Sequence, residues 1–300
     1  MQYFLLVALG QLMLGLAHFS EKLFSKKSNG FVATGLVYSA GIALSSLVLF
    51  AAMANFNLTL DTPLLLHSAG YGLLASMSMA SIFIALRRLN LVVYAVFSKS
   101  SSILTCIVGI IFYGDKITFT SILSVLLLTV SIIMPLWENK KQKGTKSSFI
   151  NLLICIGIMI INTGVSIVVK SFTNYGGDSF ARASALYFYA NIIMCITLIL
   201  SVMIMVSKKR GGIGLKETVG KVRSVLWILV PVTGIIANIP CVFNPYCMAN
   251  MDLTQYMIFT KATESIVLFC ISRFIFKEKS TPTEITSLIL STLSGIVTVF

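Results

Sequence analysis

The chain reads as an all-α membrane protein with ten transmembrane helices, set as a 5+5 inverted repeat. Three observations predict this: apolar runs of bilayer length, basic residues confined to alternate loops, and a short pattern that recurs 162 residues further on. Of the 300 residues, 57% are hydrophobic and 11% charged, and the mean hydropathy is +0.93. A water-soluble domain has no interior large enough for that much apolar surface.

A bilayer core about 30 Å thick takes about 20 apolar residues per helix. The first such run, 3–20, lacks a basic leader and a small-residue cleavage pattern, so it is expected to be a retained helix. The second is 31–53. The third, 64–86, carries Gly72, Ser76 and Ala80 at intervals of four, a row suited to close helix packing. The fourth, 89–113, and the fifth, 117–136, lead to the polar linker Glu138–Ser148. The sixth and seventh are 148–169 and 184–206. A basic, glycine-rich stretch follows at Ser207–Ser224, expected to be a cytoplasmic loop with a short surface helix. The eighth, 224–246, contains Pro231, Gly234 and Pro240, with Pro245 near its end, and is expected to be a kinked helix lining a pathway. The ninth and tenth are 252–273 and 283–300. None of these runs alternates as barrel strands do. The resulting domains are a first repeat at 1–137, a linker at 138–147 and a second repeat at 148–300.

The formal charge of +13 is distributed by topology. With the N-terminus outside, eighteen bases fall on inner loops: Lys22, Lys26, Lys27, Arg87, Arg88, Lys140, Lys141, Lys143, Lys146, Lys208, Lys209, Arg210, Lys216, Lys221, Arg223, Arg273, Lys277 and Lys279. Three fall on outer loops: Lys116, Lys170 and Arg182. Bases gather on the cytoplasmic side during insertion, so this split predicts a multi-pass protein of the cytoplasmic (inner) membrane and argues against a nucleic-acid partner. The six cysteines lie in or beside apolar runs without a CxxC pair, as packing residues do.

Displaced by 162 residues, Tyr94, Phe97, Ser98 and Lys99 of Y-A-V-F-S-K fall on Tyr256, Phe259, Thr260 and Lys261 of Y-M-I-F-T-K. One inserted residue later, G-D-K-I-T (Gly114–Thr118) meets K-E-K-S-T (Lys277–Thr281). Lys22–Ser25 and Lys170–Thr173 agree more faintly. An odd number of helices per repeat makes the second copy enter the membrane from the opposite side, an architecture of secondary transporters with the substrate site between the halves.

Lys99 and Lys261 are the two bases left outside the loops. Lys99 lies ten residues into its run, about 15 Å along a helix. A central lysine costs ~2.5–3.5 kcal/mol unless it meets water or an anion. Related by the repeat, the pair is expected to meet at one wet central site and bind a phosphate, carboxylate or sulfate. Tyr94, Tyr256, Ser98, Thr260, Ser102 and Asn238 are the other candidate substrate-binding residues. A plainer alternative pairs each lysine locally, and Glu264, three residues after Lys261 on the same face, offers such a partner. Glu264 is either that counter-ion or a proton carrier; His18, near the inner end of the first run, is a second candidate for the pathway. Neither a nucleophile–base pair nor a metal cluster nor a P-loop is legible, so no enzyme activity, cofactor or metal is expected.

The layout of five plus five spans, with I-I-F-Y-G-D-K-I-T (Ile110–Thr118) and F-I-F-K-E-K-S-T (Phe274–Thr281) at the exits of the fourth and ninth, resembles the drug/metabolite transporter superfamily in its ten-helix EamA-like form. The resemblance implies a central cavity and alternating access. Sugar-phosphate and nucleotide-sugar carriers of that superfamily use bases on the fourth and ninth helices, and Lys99 and Lys261 look like those positions. The expected function is secondary active transport of a small organic anion or phosphorylated metabolite. The alternatives are export of amino acids or hydrophobic drugs and, further off, a channel or a membrane enzyme acting on a lipid phosphate. The lipid bilayer and an anionic small molecule are the expected partners; the sequence leaves the oligomeric state open.

Overall fold

The computed structural model describes residues 2–27, 32–88, 91–142, 148–207, 224–275 and 282–299; within these helices the side chains of 18, 21–27, 32–33, 82–88, 91–100, 135–142, 148–155, 206, 224–227, 272, 284 and 298–299 are not described. The described chain is all-helical. Its ten α-helices are α1 (Gln2–Lys27), α2 (Val32–Met53), α3 (Thr62–Arg88), α4 (Leu91–Tyr113), α5 (Phe119–Gln142), α6 (Ser148–Phe172), α7 (Phe180–Ser207), α8 (Ser224–Asn250), α9 (Leu253–Cys270) and α10 (Pro282–Val299). Each overlies one of the ten apolar runs. α5 continues through 138–142, into the expected linker. α8 runs helically through Pro231, Pro240 and Pro245. Pro240 and Pro245 are buried, and the space beside Pro240 is kept by Gly10 of α1. The surface helix expected between 207 and 224 lies outside the described residues.

Among the described residues, four helical stretches are long and apolar enough to cross a membrane: Thr34–Met53, Ile156–Gly177, Phe180–Met205 and Ile228–Asn250. Shorter apolar helices occupy Gln2–Ala17, Ser101–Tyr113, Phe119–Met134 and Ile285–Val297. Apolar and polar residues are distributed as a lipid-facing protein requires. Leu5, Leu9, Leu12 and Leu16 run down the exposed side of α1, while Gln11, Ser46, Ser68, Ser102, Thr105 and Asn191 are buried between helices. Many of the buried hydroxyls donate to a carbonyl three or four residues earlier, as Ser46 does to Ala43 and Thr105 to Ser101.

The helices pack in a regular set. α2 lies along α7, α5 along α10, and α4 crosses α9. α1 packs on α8 and α9; α6 packs on α3 and α4. α7 is shared by α2 and α3, and α2 by α7 and α8. One apolar cluster joins Val7, Cys106, Leu128, Val169, Cys247, Tyr256 and Met257; a second joins Phe50, Leu64, Phe172, Leu186, Tyr187 and Val242. Tyr71 of α3 packs against both.

Small residues set the closest approaches. A Cβ on Gly72 of α3 would stand 2.6 Å from the Ala190 carbonyl oxygen of α7. A Cβ on Gly234 of α8 would strike Ser45 and come within 3.0 Å of the Ile42 carbonyl oxygen of α2. The packing role expected for Gly72 therefore extends to Gly234.

Candidate functional site

Side chains from α6, from α9 and from the turn after α4 build the junction between α8 and α9. Gly114, with φ +68°, ends α4 in the left-handed region, where glycine is free of the Cβ penalty. That turn brings the Asp115 N–H to the Gly109 carbonyl at 3.2 Å. The carboxylate of Asp115, only 8% exposed, then faces the first turn of α9. Its Oδ2 accepts from the Thr254 N–H and from the Thr254 hydroxyl, each at 2.7 Å. Helix N-termini leave N–H groups unpaired and favour negative charge. Asp252, at the N-cap position, makes no side-chain cap hydrogen bond, so Asp115 supplies the cap from the turn after α4. At the other side of the junction, Lys170 of α6 donates from Nζ to the carbonyls of Met248 and Met251, the C-terminal counterpart of the same rule.

From this junction α9 descends with Tyr256, Thr260 and Glu264 on one i, i+4 row and Lys261 beside it. Tyr256 is buried, at 3% exposure. Thr260 is 8% exposed, and its hydroxyl, although near Tyr256, meets hydrogen-bond geometry with no described partner. The Lys261 Nζ lies 2.7 Å from Glu264 Oε2, with the two side chains 16% and 17% exposed. The plainer sequence reading, a local ion pair at i, i+3, is thus realised for Lys261.

Above the pair, hydroxyl and thiol groups converge. Tyr71 lies beside the Cys241 thiol of α8, with Tyr256 and with Tyr187 of α7 nearby. The Cys241 thiol donates in turn to the Ala237 carbonyl. Tyr187 is held between the stacked ring of Phe50, 5.5 Å away, and the edge of Tyr71, 5.0 Å away. These rings form a buried aromatic wall.

Of the residues expected from sequence, Tyr256, Thr260, Lys261 and Glu264 come together on α9. Ser102 is fully buried on α4. Asn238 turns its amide to its own helix, donating from Nδ2 to the Gly234 carbonyl at 2.7 Å. The side chains of Tyr94, Ser98, Lys99 and His18 lie outside the described residues, and with them the expected meeting of the two lysines. Tyr71, Tyr187, Cys241, Asp115 and Lys170 were not expected at the site. Asp115 carried a signal through the repeated G-D-K-I-T pattern, and Lys170 a fainter one through its match to Lys22. Among the described residues no group of three or more potential metal ligands occurs.

No protein-family model and no curated protein matches the chain. A solved structure described as "Crystal structure of protein" aligns with a TM-score of 0.65 and 13% identity, covering 99% of this chain and 96% of that one. At that identity, the likeness shows a shared fold across the whole chain and nothing further.

Proposed function

We propose that the chain is a secondary transporter, built from two five-helix halves, that carries a small organic anion across the cytoplasmic membrane by alternating access. The observation that carries this reading is the helix pairing. Adding five to each helix number turns α1 on α8 into α6 on α3, α1 on α9 into α6 on α4, and α3 on α7 into α8 on α2, and all of these pairs occur. Gly72 and Gly234, 162 residues apart like Tyr94 and Tyr256, make equivalent close approaches in equivalent pairs. Such internal symmetry supports duplication, and an odd repeat supports inversion and exchange between inward-open and outward-open forms. The alternate placement of bases supports an N-terminus outside. Lys261, deep in the bundle, is the described cation able to meet a negative group; Tyr256, Tyr71 and Tyr187 orient the remainder.

A second reading, export of amino acids or hydrophobic drugs, is favoured by the Glu264 partner of Lys261. Such a solute would use the aromatic wall and leave the ion pair closed. Counterflow in proteoliposomes separates the two. Anionic solutes should drive saturable counterflow that Lys261→Met abolishes. Counterflow confined to neutral or cationic aromatic solutes, undiminished by Lys261→Met, would establish the second reading in its place.

A further inference from the structure

α5 and α10 lie along each other, and each is the last helix of its half. The offset of 163 that sets Gly114–Thr118 on Lys277–Thr281 continues into both helices, placing Ser124 on Ser287, Thr129 on Thr292 and Ser131 on Ser294. The packing keeps this register. Leu126, Val130 and Ile133 are exposed on α5, and so are their equivalents Ile289, Leu293 and Ile296 on α10. Thr129 donates to the Val125 carbonyl at 2.7 Å, and Thr292 donates to the Leu288 carbonyl at 2.8 Å, the same bond at equivalent positions.

The serines depart from that symmetry. Ser287 Oγ of α10 donates to the Ser131 carbonyl of α5 at 2.6 Å, and Ser294 Oγ donates to the Ser124 carbonyl at 2.7 Å. The equivalent bonds in the other direction would run from Ser124 to the Ser294 carbonyl and from Ser131 to the Ser287 carbonyl. Among the described residues neither is made. The Ser124 hydroxyl is fully buried and meets no hydrogen-bond partner. Ser131 Oγ stands 3.5 Å from Ser287 Oγ. A hydroxyl has one proton, and that of Ser287 goes to the Ser131 carbonyl, so Ser131 is the donor in this long contact. Both short bonds therefore run from α10 to α5, and the unpartnered hydroxyl is on α5. A buried hydroxyl without a partner costs free energy and is seldom kept.

In an inverted repeat, exchange of conformation between the halves gives each helix the role of its equivalent. α5 then stands to α10 as α10 now stands to α5. We infer that the serines of α5 and α10 form a two-position latch whose direction of donation reverses with the transport cycle. In the exchanged shape Ser124 donates to the Ser294 carbonyl, Ser131 donates to the Ser287 carbonyl, and Ser287 takes the unpartnered position. Each shape holds two short bonds and one unpartnered hydroxyl, so the latch favours neither end of the cycle. It disfavours the shapes between them, in which α5 and α10 fit neither arrangement, and so makes the contact bistable. This inference rests on the alternating-access reading.

The test is amide hydrogen exchange, read by mass spectrometry on the full-length protein in lipid nanodiscs. It follows segments 54–61, 174–184 and 250–256, at the end of the bundle where Asp115 caps α9. There Asp61 pairs with Arg182, the Leu58 carbonyl accepts from Tyr189, and Asp115 holds the Thr254 N–H, each a tie between the halves. In wild type the three segments should share one slow rate, because a single opening parts all of them. Ser287→Ala removes a short bond of the described shape alone and should speed that rate about three- to tenfold. Ser124→Ala removes a short bond of the exchanged shape alone and should slow it by a similar factor. The double variant should return to the wild-type rate. Thr129→Ala and Thr292→Ala, which lose only bonds within their own helices, should leave the rate within about twofold of wild type. Ser131→Ala and Ser294→Ala form a second pair with the same opposite signs, and decide the matter should a variant of the first pair fail to fold. Serine variants of α5 and α10 that shift the rate in the same direction, or leave it unmoved, overturn the latch and leave alternating access intact. Three unrelated rates in wild type remove the single opening, and with it alternating access and the latch together.

Discussion

Replacement of Asp115 by alanine tests whether one carboxylate holds the entry of α9. Asp115 is 8% exposed, and its Oδ2 accepts two hydrogen bonds at 2.7 Å, both from Thr254. A hydrogen bond to a charged group is worth about 1.5–3 kcal/mol, and a buried donor left unpaired costs about 1–3 kcal/mol. The two bonds share one acceptor and are not additive, so Asp115→Ala should destabilise by about 3 kcal/mol. Asp115→Asn keeps an acceptor oxygen and loses the charge that favours a helix N-terminus, for a cost of about 1 kcal/mol. Thr254→Val removes the hydroxyl and leaves the N–H bond, also costing about 1 kcal/mol. The assay is unfolding in mixed micelles by SDS titration, followed by tryptophan fluorescence, for the three single variants and for Asp115→Ala combined with Thr254→Val. The double variant should be more stable than the sum of its parts by about 1 kcal/mol. Asp115→Ala within about 0.5 kcal/mol of wild type, or strict additivity in the double variant, would refute the cap.

Gly72→Val and Gly234→Val should each cost about 1–3 kcal/mol in the same titration, because the new side chains meet neighbouring helices, including backbone oxygens. Gly157→Ala, at a helical position with nothing within 4 Å of the new Cβ, serves as the control and should be neutral or stabilising by up to about 1 kcal/mol. The Arg182 guanidinium, hydrogen-bonded to Asp61, holds that exposed carboxyl below its usual value of 3.8. A lowered value stabilises the folded form fully above about pH 3.8, and this contribution fades as pH falls through the lowered value. Thermal unfolding between about pH 2 and 6 should therefore show a small acid-side loss that Asp61→Asn removes; an unchanged profile in that variant would assign the loss to other groups.

The sequence marks the ten helices clearly because each is a run of bilayer length bounded by charge or by Gly, Pro and Asn, and the observed bounds differ from the runs by a few residues. The Lys261–Glu264 pair was legible for a local reason: three residues on one helix share a face. The junction was not. Asp115 and Thr254 are separated by 139 positions, and a carboxylate after an apolar helix looks the same whether it faces water or caps another helix. The aromatic wall was hidden in the same way. Tyr71, Tyr187 and Cys241 stand on three helices, each a lone polar-tipped residue among apolar neighbours, and only the packing of α3, α7 and α8 brings them together. Gly234 was read as loosening a proline-rich helix, whereas it lets α2 and α8 touch. Spacing along one chain segment carries no information about which distant helix lies against it.

Asp115 belongs to the first half of the chain and Thr254 to the second, and the same is true of other ties near this rim. Asp61 meets Arg182, the Tyr189 hydroxyl donates to the Leu58 carbonyl, and the Tyr3 hydroxyl donates to Asn250. In the proposed transporter, whose halves would rock against each other, these bonds would form a seam that closes this mouth. On the proposed transport reading, a passage opening here would have to part the seam along its whole length, so the shape described would be the one shut on this side, and an alternative shape would trade these polar contacts for water. Solutes would then reach Lys261 from the opposite mouth.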